Sequence, residues 1–209
     1  AAGALVVMAF GCIVASLGAW HLAKLRQTHM NDEVLYRGSP QTLLLWLASL
    51  DFHAPTSAER IAERLLLMPL PQRREAVLAL AGYEIWTRLA RSPGDVRSWQ
   101  QVMLAAVKQA VARAPMAGDL WFLAGTLAGQ LSGYGEASQR ALALSATYAP
   151  REPDLVEARL AVLAPAWPLL DEALRDVVRR DLAVAGLASP EQARAIRETL
   201  ERAGAQLDG

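Results

Sequence analysis

Three histidines, one cysteine and a scatter of carboxylates are the side chains in this 209-residue chain that could bind a metal or move protons. His21, His29 and His53 stand in no H-x3-H or H-E-x2-H spacing, the arrangement that turns two imidazoles toward one zinc ion. Cys12 is the single thiol, so neither an internal disulfide nor a thiolate metal cluster can form, and the redox compartment stays open. A serine nucleophile needs an activating base; the chain has no G-x-S-x-G turn and no histidine placed to serve one. Gly125, Gly129, Gly133 and Gly135 hint at a phosphate-cradling loop, but no Gly-Lys-Ser/Thr follows them and no strand precedes them. The carboxylate pairs Glu152 with Asp154 and Asp171 with Glu172 fall where helices should begin, and negative charge there complements the helix dipole. Arg73-Arg74 and Arg179-Arg180 alternate with acids along their helices and read as solvated faces with local ion pairs. The expectation is a non-enzymatic protein: no catalytic residue, no cofactor, no metal and no small-molecule substrate.

The elements that must position these residues are helices. Alanine and leucine dominate while β-branched residues are sparse, which favours an all-α fold because small and straight-chain residues lose least on entering a helix. Twenty-one Lys and Arg balance twenty-one Asp and Glu, so no basic field is available for nucleic acid. The apolar share of 53% suffices for a sizeable core.

Residues 1–23, "AAGALVVMAFGCIVASLGAWHLA", contain no Asp, Glu, Lys or Arg. The run from Ala4 to Leu22 is long enough for a helix crossing about 30 Å of hydrocarbon, with Trp20, His21, Lys24 and Arg26 at headgroup level. A cleaved signal peptide would have a shorter apolar core and a small-x-small site, and none stands near Ala19 to Ala23. The pattern predicts a transmembrane anchor over 1–23, a connector over 24–38 and a helical domain over 39–209. Gly11, Ala15 and Ala19 recur every four residues as a smooth face for a second span, the alternative being a helix that faces only lipid. The partners so implied are the bilayer and an integral-membrane protein. Lys24 and Arg26 alone place the following domain in the cytoplasm; a basic stretch ahead of Ala1 would reverse that.

Ser39-Pro40 predicts a helix to about Leu50, and Thr56 with Glu59 forms a capping-box spacing ahead of a helix ending before Pro69. Pro71 opens "QRREAVLALAGYEIWTRLAR", which "SPGD" at 92–95 closes; the next helix runs from about Val96 to Arg113 and stops at Pro115. Two further helices follow Pro150, separated by Pro165 and Pro168, and Ser189, Pro190, Gln192 and Gly204 bracket the last. Trp86, Trp99, Trp121 and Trp167 sit where large rings fill the wedge between crossing helices, with a peptide- or sugar-binding platform as the alternative.

Between Pro115 and Pro150, Trp121, Gly125 and Ala128 share one helical face, and after Gly133-Tyr134-Gly135 a second helix carries Ala137, Ala141, Leu144 and Tyr148. This predicts a hairpin whose helices cross at small residues, and it resembles a tetratricopeptide repeat. Trp121, Gly125 and Ala137 match that family's Trp, Gly and first Ala, whereas Ala124, Ala128 and Ala141 replace its usual Leu, Tyr and aromatic. The resemblance implies an antiparallel helical stack of degenerate repeats following the single membrane helix. Over residues 107–180 the elements "RAP", "LW", "APRE" and a tryptophan helix beginning "WPLLD" are similar to the membrane-anchored helical proteins of bacterial exopolysaccharide and O-antigen assembly. That resemblance implies a docking or scaffolding role at the inner membrane with the helical domain in the periplasm. An accessory subunit of a respiratory or photosynthetic membrane complex is the competing reading.

Overall fold

Proline and glycine punctuate the chain, and the computed structural model describes residues 46–47, 50–51, 54, 56–82 and 93–205. The predicted anchor with Gly11, Ala15 and Ala19, the three histidines, Cys12 and Trp86 lie outside the described residues. The chain divides into two units, 1–49 and 50–209. In the first, Trp46 and Leu47 are helical, within the helix predicted from Ser39.

Among the described residues the protein is all-α, with no strand. The second unit contains α1 (Ser57–Leu67), α2 (Leu70–Ala81), α3 (Pro93–Arg113), α4 (Gly118–Ser132), α5 (Glu136–Tyr148), α6 (Pro153–Leu163), a 3-10 turn (Trp167–Leu169), α7 (Glu172–Ala188) and α8 (Pro190–Arg202). No described helix is long and apolar enough to cross a membrane.

Several boundaries differ from those the residue pattern predicts. The long helix expected over 72–91 ends at Ala81, because Gly82 leaves the helical region (φ −71°, ψ 113°) and has no side chain whose packing would hold it there. Pro93, Gly94 and Asp95, expected to close a helix, form the first turn of α3; proline lacks only an N–H that a first turn leaves unpaired anyway. The capping box at Thr56 does not form. Thr56 already has helical dihedrals (φ −87°, ψ −4°), so its hydroxyl makes no cap bond, and the Ser57 hydroxyl donates instead to the Asp51 carbonyl. Ser189 precedes α8 in extended geometry, also without a side-chain bond. Asp171 does cap a helix with its side chain, its Oδ1 accepting from the Leu174 N–H at 2.9 Å.

Packing centres on α4, which lies against α2, α3, α5 and α6. It is buried on nearly every side, through Leu120, Phe122, Leu123, Ala124 and Leu127. Helix α1 packs on α3, and α7 gathers α5, α6 and α8. On α7 the buried stripe Leu174, Val177, Val178, Leu182 and Ala185 follows the three-and-four spacing of one helix face.

Candidate functional site

The hairpin of α4 and α5 is closed by glycines. A Cβ placed on Gly118 would lie 2.6 Å from the Ala149 Cβ, one on Gly125 2.6 Å from the Leu142 Cγ, and one on Gly129 3.0 Å from the Tyr134 ring. Positions advancing along α4 therefore meet positions receding along α5, which makes the pair antiparallel and sets backbone almost against side chain. The Ser138 hydroxyl uses that proximity, donating to the Gly125 carbonyl at 2.8 Å. Gly133, at φ +83°, turns the chain between the helices in a conformation that L side chains rarely adopt. Burial of Tyr134 against this turn pushes its phenol above the ordinary value.

The residues predicted for the crossing are not all brought to it. Gly125 and Ala141 are buried, Ala128 is half-buried and Ala137 is exposed. The first turn of α5 directs Glu136 and Ala137 to solvent, and Ser138, one residue on, takes the place against α4. Trp121 is half-buried, and its indole N–H donates to the Pro115 carbonyl at 2.7 Å, pinning the turn between α3 and α4.

Two buried ion pairs lock the surrounding helices. Arg159 on α6 has a fully buried side chain; its Nε and Nη2 donate to the two carboxylate oxygens of Asp181 on α7 at 2.7 and 3.1 Å. Its Nη1 donates to the Ala149 carbonyl at 3.2 Å and the Ser145 hydroxyl at 3.4 Å, so one guanidinium joins α5, α6 and α7. Burial pushes the Asp181 carboxyl above its ordinary value, opposed by the bonds and charge of Arg159. Arg73 on α2 likewise donates to both oxygens of Asp119 in the first turn of α4, at 2.7 and 3.3 Å. Arg73 is thus buried and bound 46 residues away, not part of a solvated face. Its neighbour Arg74 reaches Glu152 at 2.9 Å. Residue spacing alone singled out neither Arg159, Asp181 nor Asp119, although a signal existed. Arg159 stands in phase with Leu155, Val156, Leu160 and Leu163, and Asp181 with Val177, Val178 and Leu182, so each charge lies on an apolar stripe.

A third feature lies where α7 begins. Trp167 is buried beneath the guanidinium groups of Arg175 and Arg179, 5.5 and 5.6 Å from its ring centre. Arg179 bonds Glu172 at 2.8 Å and Asp176 at 2.6 Å, a local ion-paired face of the kind the charge alternation implies. Gln139 on α5 ties this end of α7 down, accepting from the Asp171 N–H at 2.6 Å and donating to the Tyr134 carbonyl at 2.7 Å.

Chemically, the buried charges are paired within the fold, Arg73 with Asp119 and Arg159 with Asp181. Among the described residues no cluster of three or more His, Cys, Asp or Glu side chains converges. What fold and site define is an all-α stack of helices pinned by interhelical Arg–Asp pairs around a glycine-closed hairpin. No protein family, curated protein or solved structure matches the chain.

Proposed function

We propose that this chain is a non-enzymatic, membrane-anchored scaffold of degenerate helical repeats that docks a larger assembly, one that handles envelope polysaccharide at the inner membrane. The observation that carries the docking reading is the economy of the interior. The buried arginines and aspartates are spent on one another and on the ends of helices, and the α4–α5 crossing is filled to contact distance. Such an interior supports a rigid surface, and a stack of helices presents an extended one. A span over 1–23 would hold that surface at high local concentration beside its partner. The polysaccharide assignment rests on the resemblance of the "RAP", "LW", "APRE" and "WPLLD" elements, and the periplasmic placement of the domain follows from it.

The experiment is isolation of the full chain from its native membrane in mild detergent, followed by mass spectrometry of what accompanies it. Recovery of polysaccharide polymerase, flippase or export proteins supports this function. Stoichiometric recovery of a respiratory or photosynthetic complex replaces it with the accessory-subunit reading. An Ala15→Arg variant tests the small-residue face: loss of the partner is expected, and undiminished recovery refutes packing of Gly11, Ala15 and Ala19 on another span.

A further inference from the structure

We propose that the turn joining α1 to α2 dips into the interfacial layer of the same bilayer that residues 1–23 span, an inference that rests on the anchor reading above. The turn is "LLLMPLPQ", residues 65–72, eight positions without a charge. Leu65 holds it to the core, while Leu67 and Leu70 are 62% and 63% exposed and Pro69 and Pro71 are exposed between and beside them. Singly exposed leucines are ordinary on protein surfaces; a contiguous apolar projection is not. Met116, Leu169 and Leu187 are exposed too, each on a different segment of the chain.

The backbone of the turn presents few free donors, the N–H groups of Leu70 and Gln72 being the ones without a backbone acceptor. A helix start ordinarily presents N–H groups that need water or a cap. Here Pro69 and Pro71 have no N–H, the Met68 N–H donates to the Arg64 carbonyl at 3.2 Å, and the Arg73 N–H donates to the Pro69 carbonyl at 2.9 Å. Each donor removed or satisfied is one that need not be stripped of water as the turn enters the lipid interface. Of the charges that follow, Arg73 is held inward by Asp119 and Arg74 is paired with Glu152, while Glu75 is exposed one helical turn beyond Pro71. The same bonds make the base of the turn rigid, so its leucines project without an ordering cost at the moment of contact.

Lipid is favoured over a protein partner for two reasons. A segment with no charge and few free backbone donors offers apolar area but little directional recognition, whereas specific protein interfaces surround an apolar centre with hydrogen-bonding groups. Leu50, where the second unit starts, is 27 residues beyond Ala23, so the connecting chain reaches at most about 100 Å and the domain stays within range of the membrane.

The test uses the full chain in vesicles of phosphatidylcholine and phosphatidylglycerol. In a Cys12→Ser background, Leu67→Cys, Leu70→Cys and, as reference, Leu187→Cys each receive an environment-sensitive nitrobenzoxadiazole label, with circular dichroism confirming that each variant folds. The expected result is a several-fold rise in emission at 67 and 70, quenched by lipids carrying a nitroxide high on the acyl chain, with 187 unchanged. Emission at 67 and 70 as aqueous as at 187, in a chain that floats with the vesicles, overturns the proposal and leaves the anchor standing. Shielding at 67 and 70 in native membranes but not in pure lipid also overturns it, and assigns the turn to a protein. A chain that does not float removes the anchor and this proposal together.

Discussion

Replacing Arg159 by methionine keeps an apolar stem of similar length but leaves the Asp181 carboxylate buried with neither of its two guanidinium bonds. The side chain of Arg159 is 0% exposed and that of Asp181 5%, so neither can turn to water when its partner is removed. Breaking such a pair from one side costs about 3–5 kcal/mol, and Asp181→Leu should cost a similar amount by stranding the guanidinium. In the double variant Arg159→Met/Asp181→Leu no charge remains. The outstanding loss is the donors to the Ala149 carbonyl and Ser145 hydroxyl, about 1 kcal/mol each. The double variant should therefore lose about 0–2 kcal/mol, with a coupling energy of at least about 3 kcal/mol between the two sites. Urea denaturation followed by circular dichroism, with all four proteins at neutral pH, measures each quantity. The pH dependence supplies a second reading. Because burial raises the folded-state pKa of Asp181, the folded form binds its proton more tightly than the unfolded chain, and this group's contribution to stability falls as pH rises from the unfolded to the folded value. Removing Arg159 removes the opposing attraction, so the penalty of Arg159→Met should shrink as the pH is lowered through the carboxylate range, where a neutral acid needs no cation. Single-variant losses that simply add in the double, or a penalty independent of pH, would refute the account.

Three further substitutions probe α4 and its contacts. Gly125→Ala places a methyl 2.6 Å from the Leu142 Cγ and 3.0 Å from the Leu142 amide nitrogen, so backbone must move; despite alanine's better helix propensity it should cost about 1–3 kcal/mol, read from thermal unfolding. Thr126→Val removes a hydroxyl on α4 that is buried without a hydrogen-bond partner, and should raise stability by about 1 kcal/mol, seen as a melting temperature higher by about 2–4 °C; a lower one refutes the idea that this hydroxyl is a burden. Trp121→Phe retains the ring contact but loses the bond to the Pro115 carbonyl, for an expected loss of about 1 kcal/mol; an unchanged denaturation midpoint would remove Trp121 from the turn's support.

Much of this arrangement could be read from residue order. The helical class follows from alanine and leucine content, and stops such as Arg113 before Pro115, Gly133 between α4 and α5, and Gly204 (φ +84°) after α8 follow from backbone sterics within a turn of the residue concerned. The hairpin between Pro115 and Pro150, and the burial of Gly125 in it, belong to the same short-range logic. Boundaries that depended on one residue's competing preferences, at Gly82 and Pro93, were not legible, since an isolated glycine or proline is compatible with either side of a helix end.

What residue order could not supply is which side chains meet. That Arg73 would find Asp119 and Arg159 would find Asp181 depends on the rotation of each helix about its axis and on where neighbouring helices cross, and both are set by the packed core as a whole. The same rotation exposes Ala137 and buries Ser138, makes Trp121 a brace for a turn, and sets Trp167 beneath two arginines. Propensity acts over a few residues, so sequence by itself determined that helices form and largely where they stop. Charge pairing and close packing act across space, so only the tertiary structure decided how those helices are held together.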